Sequence, residues 1–133
     1  MCIRDSAGWR GLLGGVLEAT AAALAVSPDG LLAWLGPAIG PQAFEVGAEV
    51  REAYLAAASA TESAGIAACF VPNPANPRHY FADIYALARI RLRAIGLTRV
   101  YGGGWCTCSD QQRFFSYRRD GRTGRMASLI VLR

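Results

Sequence analysis

Residues 36–41, with the sequence Gly-Pro-Ala-Ile-Gly-Pro, place two prolines and two glycines within one short segment. Proline lacks a backbone donor and glycine weakens regular structure, so neither a helix nor a strand continues through this segment. The apolar run before it, residues 31–35, predicts a buried strand. The segment is therefore a rigid loop at the carboxyl end of a strand, where α/β proteins often bind ligands. A simple connector is equally consistent with the sequence.

Three stretches have apolar residues at the spacing of helices that pack on one face. The first helix is predicted over residues 9–24 and the second over residues 46–57. The third is predicted over residues 81–95, and Gly96 caps it because glycine readily adopts the left-handed conformation. Between the second and third helices, residues 58–68 are small and lack a clear period, so we expect them to be mobile or variable.

Two further apolar runs predict strands. Residues 97–101 precede three consecutive glycines, and the continuous apolar run 126–132 predicts an interior strand covered on both faces. A chain of 133 residues with 53% hydrophobic content suits one domain with a real core. The predicted fold class is therefore α+β (mixed α/β), with a sheet of at least three strands packed with three longer helices.

Charge and cysteine content exclude several classes of protein. All fourteen basic residues are arginine and the net charge is +4, but the arginines are dispersed, so we expect no nucleic-acid partner. No apolar run reaches the roughly 18 residues of a membrane span. Four cysteines without framework spacing favour a reduced, cytoplasmic protein. The segment before Ala25 crudely imitates a signal peptide, but the charge of Glu18 within it opposes translocation.

The last third of the chain compresses four arginines between an aromatic pair and an apolar run. Clustered guanidiniums beside a turn form a candidate anion site, and neighbouring rings could hold a flat ligand. We therefore predict Tyr117, Arg118 and Arg119 as substrate-binding residues, with Tyr117 lying against a ring. At least one of these arginines is expected to pair with a carboxylate such as Asp120 or Glu45.

The metal-ligating residue types do not form a recognisable site. His79 is the single histidine, and a surface or capping role suits it better than metal binding. Cys106 and Cys108 are too close in sequence for a structural zinc site, and a buried, unreactive Cys106 is favoured. Asp83 could face a substrate or stabilise the start of the third helix. No phosphate loop, dinucleotide fingerprint or nucleophile elbow is present, so no catalytic residue is assigned.

Several unusual motifs follow one another in order along the chain. They are Ala-Gly-Trp-Arg-Gly at 7–11, Leu-Ala-Trp-Leu-Gly-Pro-Ala-Ile-Gly-Pro at 32–41, Ala-Phe-Glu-Val-Gly at 43–47, Asp-Ile-Tyr-Ala-Leu-Ala-Arg at 83–89, Cys-Thr at 106–107 and Phe-Phe-Ser-Tyr-Arg-Arg at 114–119. In order and spacing they resemble the YfiH-like laccase-domain family. Members of that family are polyphenol oxidoreductases and purine nucleoside phosphorylases, some with adenosine deaminase and methylthioadenosine phosphorylase activity, and their domains are nearly twice as long.

The resemblance also implies a zinc or copper site made of two histidines and a cysteine. One histidine and the cysteine belong to motifs that this sequence does not contain, and the second histidine would stand where this chain has Ser6. A serine hydroxyl cannot replace an imidazole as a strong ligand. We therefore expect no metal on this chain, no activity of the chain alone, a non-native leader at residues 1–6, and an incomplete domain, its carboxyl-terminal part, at residues 7–133.

For a complete family member the resemblance implies zinc-assisted phosphorolysis of a purine nucleoside. The partners are then the nucleoside and phosphate, both small molecules. Arg10 is the first candidate for a phosphate or substrate contact, because it lies near the start of the first helix; a salt bridge within the core is its alternative role. A copper-dependent polyphenol oxidase ranks second for the complete protein. A noncatalytic packing half or binding module is the third possibility, and it best describes the 133-residue chain as it stands.

Overall fold

The computed structural model describes residues 8–131 and confirms the mixed α/β class. Within them, the helices are α1 (Trp9–Leu13), α2 (Val16–Ala23), α3 (Ala48–Ala56), α4 (Ser63–Ala68), α5 (Ile84–Ala94) and α6 (Tyr117–Asp120). The strands are β1 (Ala33–Leu35), β2 (Glu45–Gly47), β3 (Phe70–Pro72), β4 (His79–Ala82) and β5 (Val100–Gly102).

The strands form two separate sheets. In the first, β4 lies between β2 and β3, and both pairings are antiparallel. In the second, β1 and β5 pair in parallel, with Trp34 opposite Tyr101 and Leu35 opposite Gly102. A parallel pair brings the carboxyl ends of its two strands to the same edge, and this edge positions the candidate site described below.

The hydrophobic core lies between the three-stranded sheet and the helices that flank it. Its most deeply buried large side chains are Tyr54 of α3, Ile66 of α4 and Leu87 of α5. The hydroxyl of Tyr54 donates to the backbone oxygen of Trp9 at 2.9 Å, which satisfies a polar group inside the core. Burial raises the pKa of Tyr54 to about 12, so this phenol stays protonated at neutral pH.

The predicted first helix is two helices. Gly15, with φ of +85°, adopts the left-handed conformation between α1 and α2, and the chain changes direction there. The side chains of Arg91 and Glu18 approach to 2.7 Å and join α2 to α5. The apolar residues have helical spacing in both α1 and α2, but the pair Gly14–Gly15 separates the two helices.

The second helix begins later than predicted, and the segment after it was predicted wrongly. The spacing of Val46 to Val50 fits a helix, which explains the prediction. Val46 nevertheless belongs to β2, because its backbone pairs with Tyr80 of β4. Residues 58–68 were expected to be mobile or variable, yet they include α4, whose Ile66 is only 2% exposed. A single buried isoleucine among small residues is enough to fix a short helix to a core.

The third predicted helix is confirmed as α5, with a later start because Phe81 pairs within β4. Asp83 caps it by accepting a hydrogen bond from the backbone nitrogen of Ala86 at 2.9 Å, which favours the helix-stabilising role over a substrate contact. Gly96 has φ of +87°, as its capping role requires. Among the helices described between residues 8 and 131, none has the length and apolar character to cross a bilayer.

The predicted last strand does not form in the part of it that the structure describes. Residues 126–131 have no regular structure, and Leu129, Ile130 and Val131 are 80–95% exposed. Leu132 lies outside the described residues. An apolar run becomes an interior strand only where a neighbouring strand can take its backbone hydrogen bonds, and no described strand pairs with this run.

Candidate functional site at the carboxyl ends of the parallel strands

The loops that follow β1 and β5 enclose an open cleft of about 290 Å³. It lies where the two parallel strands end, since the backbone nitrogen of Gly103 donates to the oxygen of Leu35 at 2.9 Å. Its lining residues are Gly40, Pro41, Gln42, Tyr85, Gly103, Gly104, Trp105, Cys106 and Ser109. The rigid loop predicted from the sequence is therefore one wall of this cleft.

Tyr85 of α5 fixes the two loops relative to each other. Its hydroxyl accepts a hydrogen bond from the backbone nitrogen of Ala38 at 2.6 Å. The same hydroxyl lies 3.1 Å from the carbonyl oxygens of Gly36 and Trp105, which share its single proton. Burial raises the pKa of Tyr85, which keeps the proton needed for this bond. Sequence analysis missed this role because Tyr85 has the spacing of a core residue.

Cys106 is a thiol that three hydrogen-bond donors surround in the cleft. Its sulfur accepts hydrogen bonds from the backbone nitrogen of Gly40 at 3.1 Å and from the hydroxyl and backbone nitrogen of Ser109 at 3.3 and 3.4 Å. Desolvation opposes ionisation of the thiol, but these donors outweigh it and lower the pKa of Cys106. The expectation of a buried Cys106 is therefore wrong, since the residue is partly exposed, while its reactivity stays a prediction.

We predict that iodoacetamide at pH 8 alkylates Cys106 well before Cys69. Burial raises the pKa of Cys69 to about 11, which leaves roughly one thiolate in a thousand at that pH. Because the Cys106 pKa is lowered, its alkylation rate should level off at a lower pH than that of Cys69. Peptide mass spectrometry after timed labelling measures both rates.

The variant Ser109→Ala removes one donor to the sulfur, so it should raise the Cys106 pKa and slow its alkylation at pH 8 several-fold. Ser63→Ala, at an exposed position on α4, is the matched control and should change nothing. Equal labelling of Cys106 in both variants would contradict stabilisation of the thiolate by the Ser109 hydroxyl.

Trp105 presents an aromatic surface to the cleft. Its indole ring packs edge-on against Trp34, with centroids 6.0 Å apart, and lies 6.2 Å from the ring of Phe114. The residue remains 36% exposed. Two neighbouring rings thus hold the indole in place while part of it stays free. Its sequence position, directly after three glycines, gave no indication of this surface.

The guanidinium of Arg119 on α6 forms hydrogen bonds to other groups of this chain. Its Nη1 donates to the carbonyl oxygens of Thr107 and Cys108 at 3.1 and 2.9 Å, and its Nη2 donates to that of Phe114 at 3.0 Å. Nε and Nη2 also bond the carboxylate of Asp120, both at 2.7 Å. The predicted arginine–carboxylate pair is confirmed. All five guanidinium protons are used, so a substrate contact by Arg119 requires an exchange of these bonds.

The other predicted substrate-binding residues lie on α6 and α1. Arg118 donates to the backbone oxygen of Glu45 at 2.9 Å, and its guanidinium lies 5.8 Å from the ring centroid of Phe44. Tyr117 is 79% exposed and free to meet a ligand. Arg10 on α1 is exposed, with its guanidinium 4.5 Å from the indole centroid of Trp9. Their substrate contacts stay predictions.

The donors in the described part of the chain do not fit a zinc or copper ion. Residues 8–131 contain no group of three or more histidine, cysteine, aspartate and glutamate side chains that could hold a metal. His79 instead contacts the carboxylate of Glu45, with Nδ1 2.7 Å from Oε1. Ser6, where the resemblance implies a ligand, lies outside the described residues.

The mixed α/β fold of this chain is also known from solved structures. The crystal structure of a Neisseria meningitidis protein matches with a TM-score of 0.76 and 47% identity, over 86% of this chain and 45% of that one. A sequence model described as multi-copper polyphenol oxidoreductase laccase matches residues 6–133. The chain belongs to this laccase-domain family, as its motifs predicted.

Two curated relatives are named for one activity. Purine nucleoside phosphorylase of Pseudomonas aeruginosa is 63% identical over 95% of this chain and 50% of its own length. Purine nucleoside phosphorylase YfiH of Escherichia coli is 53% identical over 95% of this chain and 49% of its own length. The chain thus spans about half the length of these curated relatives.

Proposed function

We propose that the chain is the carboxyl-terminal part of a cytoplasmic purine nucleoside phosphorylase. The observation that carries this proposal is the 63% identity to a protein of that name across 95% of the chain. Free thiols at Cys69, Cys106 and Cys108 are consistent with a reducing compartment. Zinc, which the family resemblance implies, would need ligands from outside residues 8–131.

In phosphorolysis, a phosphate oxygen forms a bond to the anomeric carbon of the ribose while the bond from that carbon to the base nitrogen breaks. The base leaves with the bonding electrons and takes up a proton. Such a reaction needs cations around phosphate and donors near the departing base. Arg10 and Arg118 have guanidinium donors that no described carboxylate occupies, so we propose them as the phosphate contacts.

A copper-dependent polyphenol oxidase is the second candidate, because the description of the family model names that activity. The site of two histidines and a cysteine that the resemblance implies would hold one copper ion, and one such ion does not by itself supply the four electrons that reduce oxygen to water, so this candidate is the weaker one. Phosphate separates the two activities, since an oxidase does not consume it.

The test joins this chain to the part of the Pseudomonas aeruginosa relative that it does not match. With inosine and inorganic phosphate, the joined protein should release hypoxanthine and ribose 1-phosphate in equal amounts, measured by chromatography. The 133-residue chain alone should release neither. Omitting phosphate is the control, and base release that persists without phosphate would exclude phosphorolysis. Oxidation of phenolic dyes only after copper loading would favour the oxidase.

A further inference from the structure

We propose that the cleft at the ends of β1 and β5 binds the purine base of the nucleoside, stacked on the indole of Trp105 and hydrogen-bonded by the carboxamide of Gln42. This inference rests on the proposed function and deepens it, because it assigns one half of the substrate to one place.

The charge of the cleft favours a neutral ligand. No arginine, lysine, aspartate or glutamate is among the described residues that line it. The guanidinium of Arg89 lies beside Gly103, but it donates to the backbone oxygens of Val100 and Gly102 at 2.9 and 2.7 Å. A phosphate in the cleft would therefore lose its hydration without gaining a cation that lines the cleft, which is costly. A purine base is uncharged at neutral pH and loses much less, so the base and not the phosphate fits this cleft.

The shape of the cleft favours a flat ligand. Glycines at positions 40, 103 and 104 leave part of its walls as bare backbone, and its volume of about 290 Å³ exceeds that of one bicyclic base. A side chain on Gly40 would meet Cys106, since an added Cβ would lie 2.8 Å from that residue's Cβ. Bare backbone at three lining positions, together with the indole of Trp105, suits a flat ring system.

Trp105 has the properties of a stacking platform. The rings of Trp34 and Phe114 restrain its indole, and its carbonyl oxygen accepts from the hydroxyl of Tyr85. A ring that is already held loses little conformational entropy when a ligand stacks on it. Every base has a π-face that can stack on an aromatic side chain. Replacing such a side chain with alanine weakens binding of the base by about fivefold or more.

Gln42 supplies the polar recognition. It lies exposed on the loop after β1 and lines the cleft. A carboxamide is both a donor and an acceptor, which matches the edge of a purine, where ring nitrogens and exocyclic groups alternate in the same way. Because Gln42 is exposed, replacing it with alanine should leave the backbone as it is and remove only the hydrogen bonds of the carboxamide.

The test measures binding to the purified 133-residue chain by calorimetry, with hypoxanthine, adenine and, separately, inorganic phosphate as ligands. We expect both bases to bind, Trp105→Ala to weaken binding about fivefold or more, and Gln42→Ala to weaken it by a smaller factor. Tyr101→Ala is the matched control, since Tyr101 is an exposed aromatic residue of β5 that does not line the cleft.

Absence of purine binding, or equal affinity in wild type, Trp105→Ala and Gln42→Ala, would overturn the inference. Binding of phosphate in competition with the bases would overturn it as well. The result is independent of turnover: base binding without phosphorolysis in the joined protein would refute the proposed function alone. Phosphorolysis with an unchanged KM for inosine in Trp105→Ala would refute this inference alone.

Discussion

Replacing Gly102 with alanine should lower the free energy of unfolding by more than about 2 kcal/mol. Gly102 ends β5 with φ of +77°, a conformation that a residue with a Cβ rarely adopts. An added Cβ would also overlap the carbonyl oxygen of Leu35, the residue opposite it in β1. Backbone atoms cannot move aside as a flexible side chain can, so the parallel pair must separate.

Gly104→Ala is the control two residues further on, because no atom lies within 4 Å of the Cβ that it would add. Urea unfolding followed by circular dichroism should place the midpoint of Gly104→Ala close to that of the unchanged chain and that of Gly102→Ala well below it. Coincident midpoints for the two variants would show that the close approach of Gly102 to Leu35 is not rigid.

Leu87→Ala should cost about 3 kcal/mol of stability. Leu87 is 1% exposed and belongs to the buried cluster that includes Tyr54 and Ile66. Removing its branched end forfeits apolar burial and leaves a cavity that neighbouring rings fill only in part. In a thermal melt the Tm should fall by several degrees, the shift expected for this loss of unfolding free energy in a domain of this size.

The control for Leu87 is Leu129→Ala, which makes the same chemical change on a side chain that is 86% exposed. Its Tm should stay within a degree or so of the unchanged chain, since almost no burial is lost. A similar Tm in both variants would mean that α5 does not pack on the core as described.

Elements with long, regular apolar patterns were predictable from the sequence. The helix α5 and its glycine cap follow from a pattern of several turns and a residue with special backbone freedom. The strand β1 follows from an apolar run that ends at a rigid loop, but its predicted burial is wrong, because no residue of 31–35 is buried and Trp34 is 50% exposed. For α5, local preference and tertiary packing agree, so the sequence alone carries the information.

The three-stranded sheet could not be predicted in the same way. Its strands have three or four residues each, too few for a period to show, and Val46 and Phe81 match the helix spacing that follows them. Only one wall of the cleft was predictable, because it is a distinctive loop, whereas Trp105 and Gln42 line the cleft from two loops that are distant in sequence and that follow the paired strands β5 and β1. Arg119 stood out, but not its role in holding carbonyl groups.

The exposed aromatic residues on the parallel pair of strands should affect the solubility of the protein. Trp34 and Tyr101 are opposite each other and each about half exposed, so molecules can adhere through this aromatic patch. A net charge of +4 gives only weak mutual repulsion. Sulfate salts strengthen apolar burial and screen charge, so they should precipitate the protein early, whereas low ionic strength should keep concentrated samples clear.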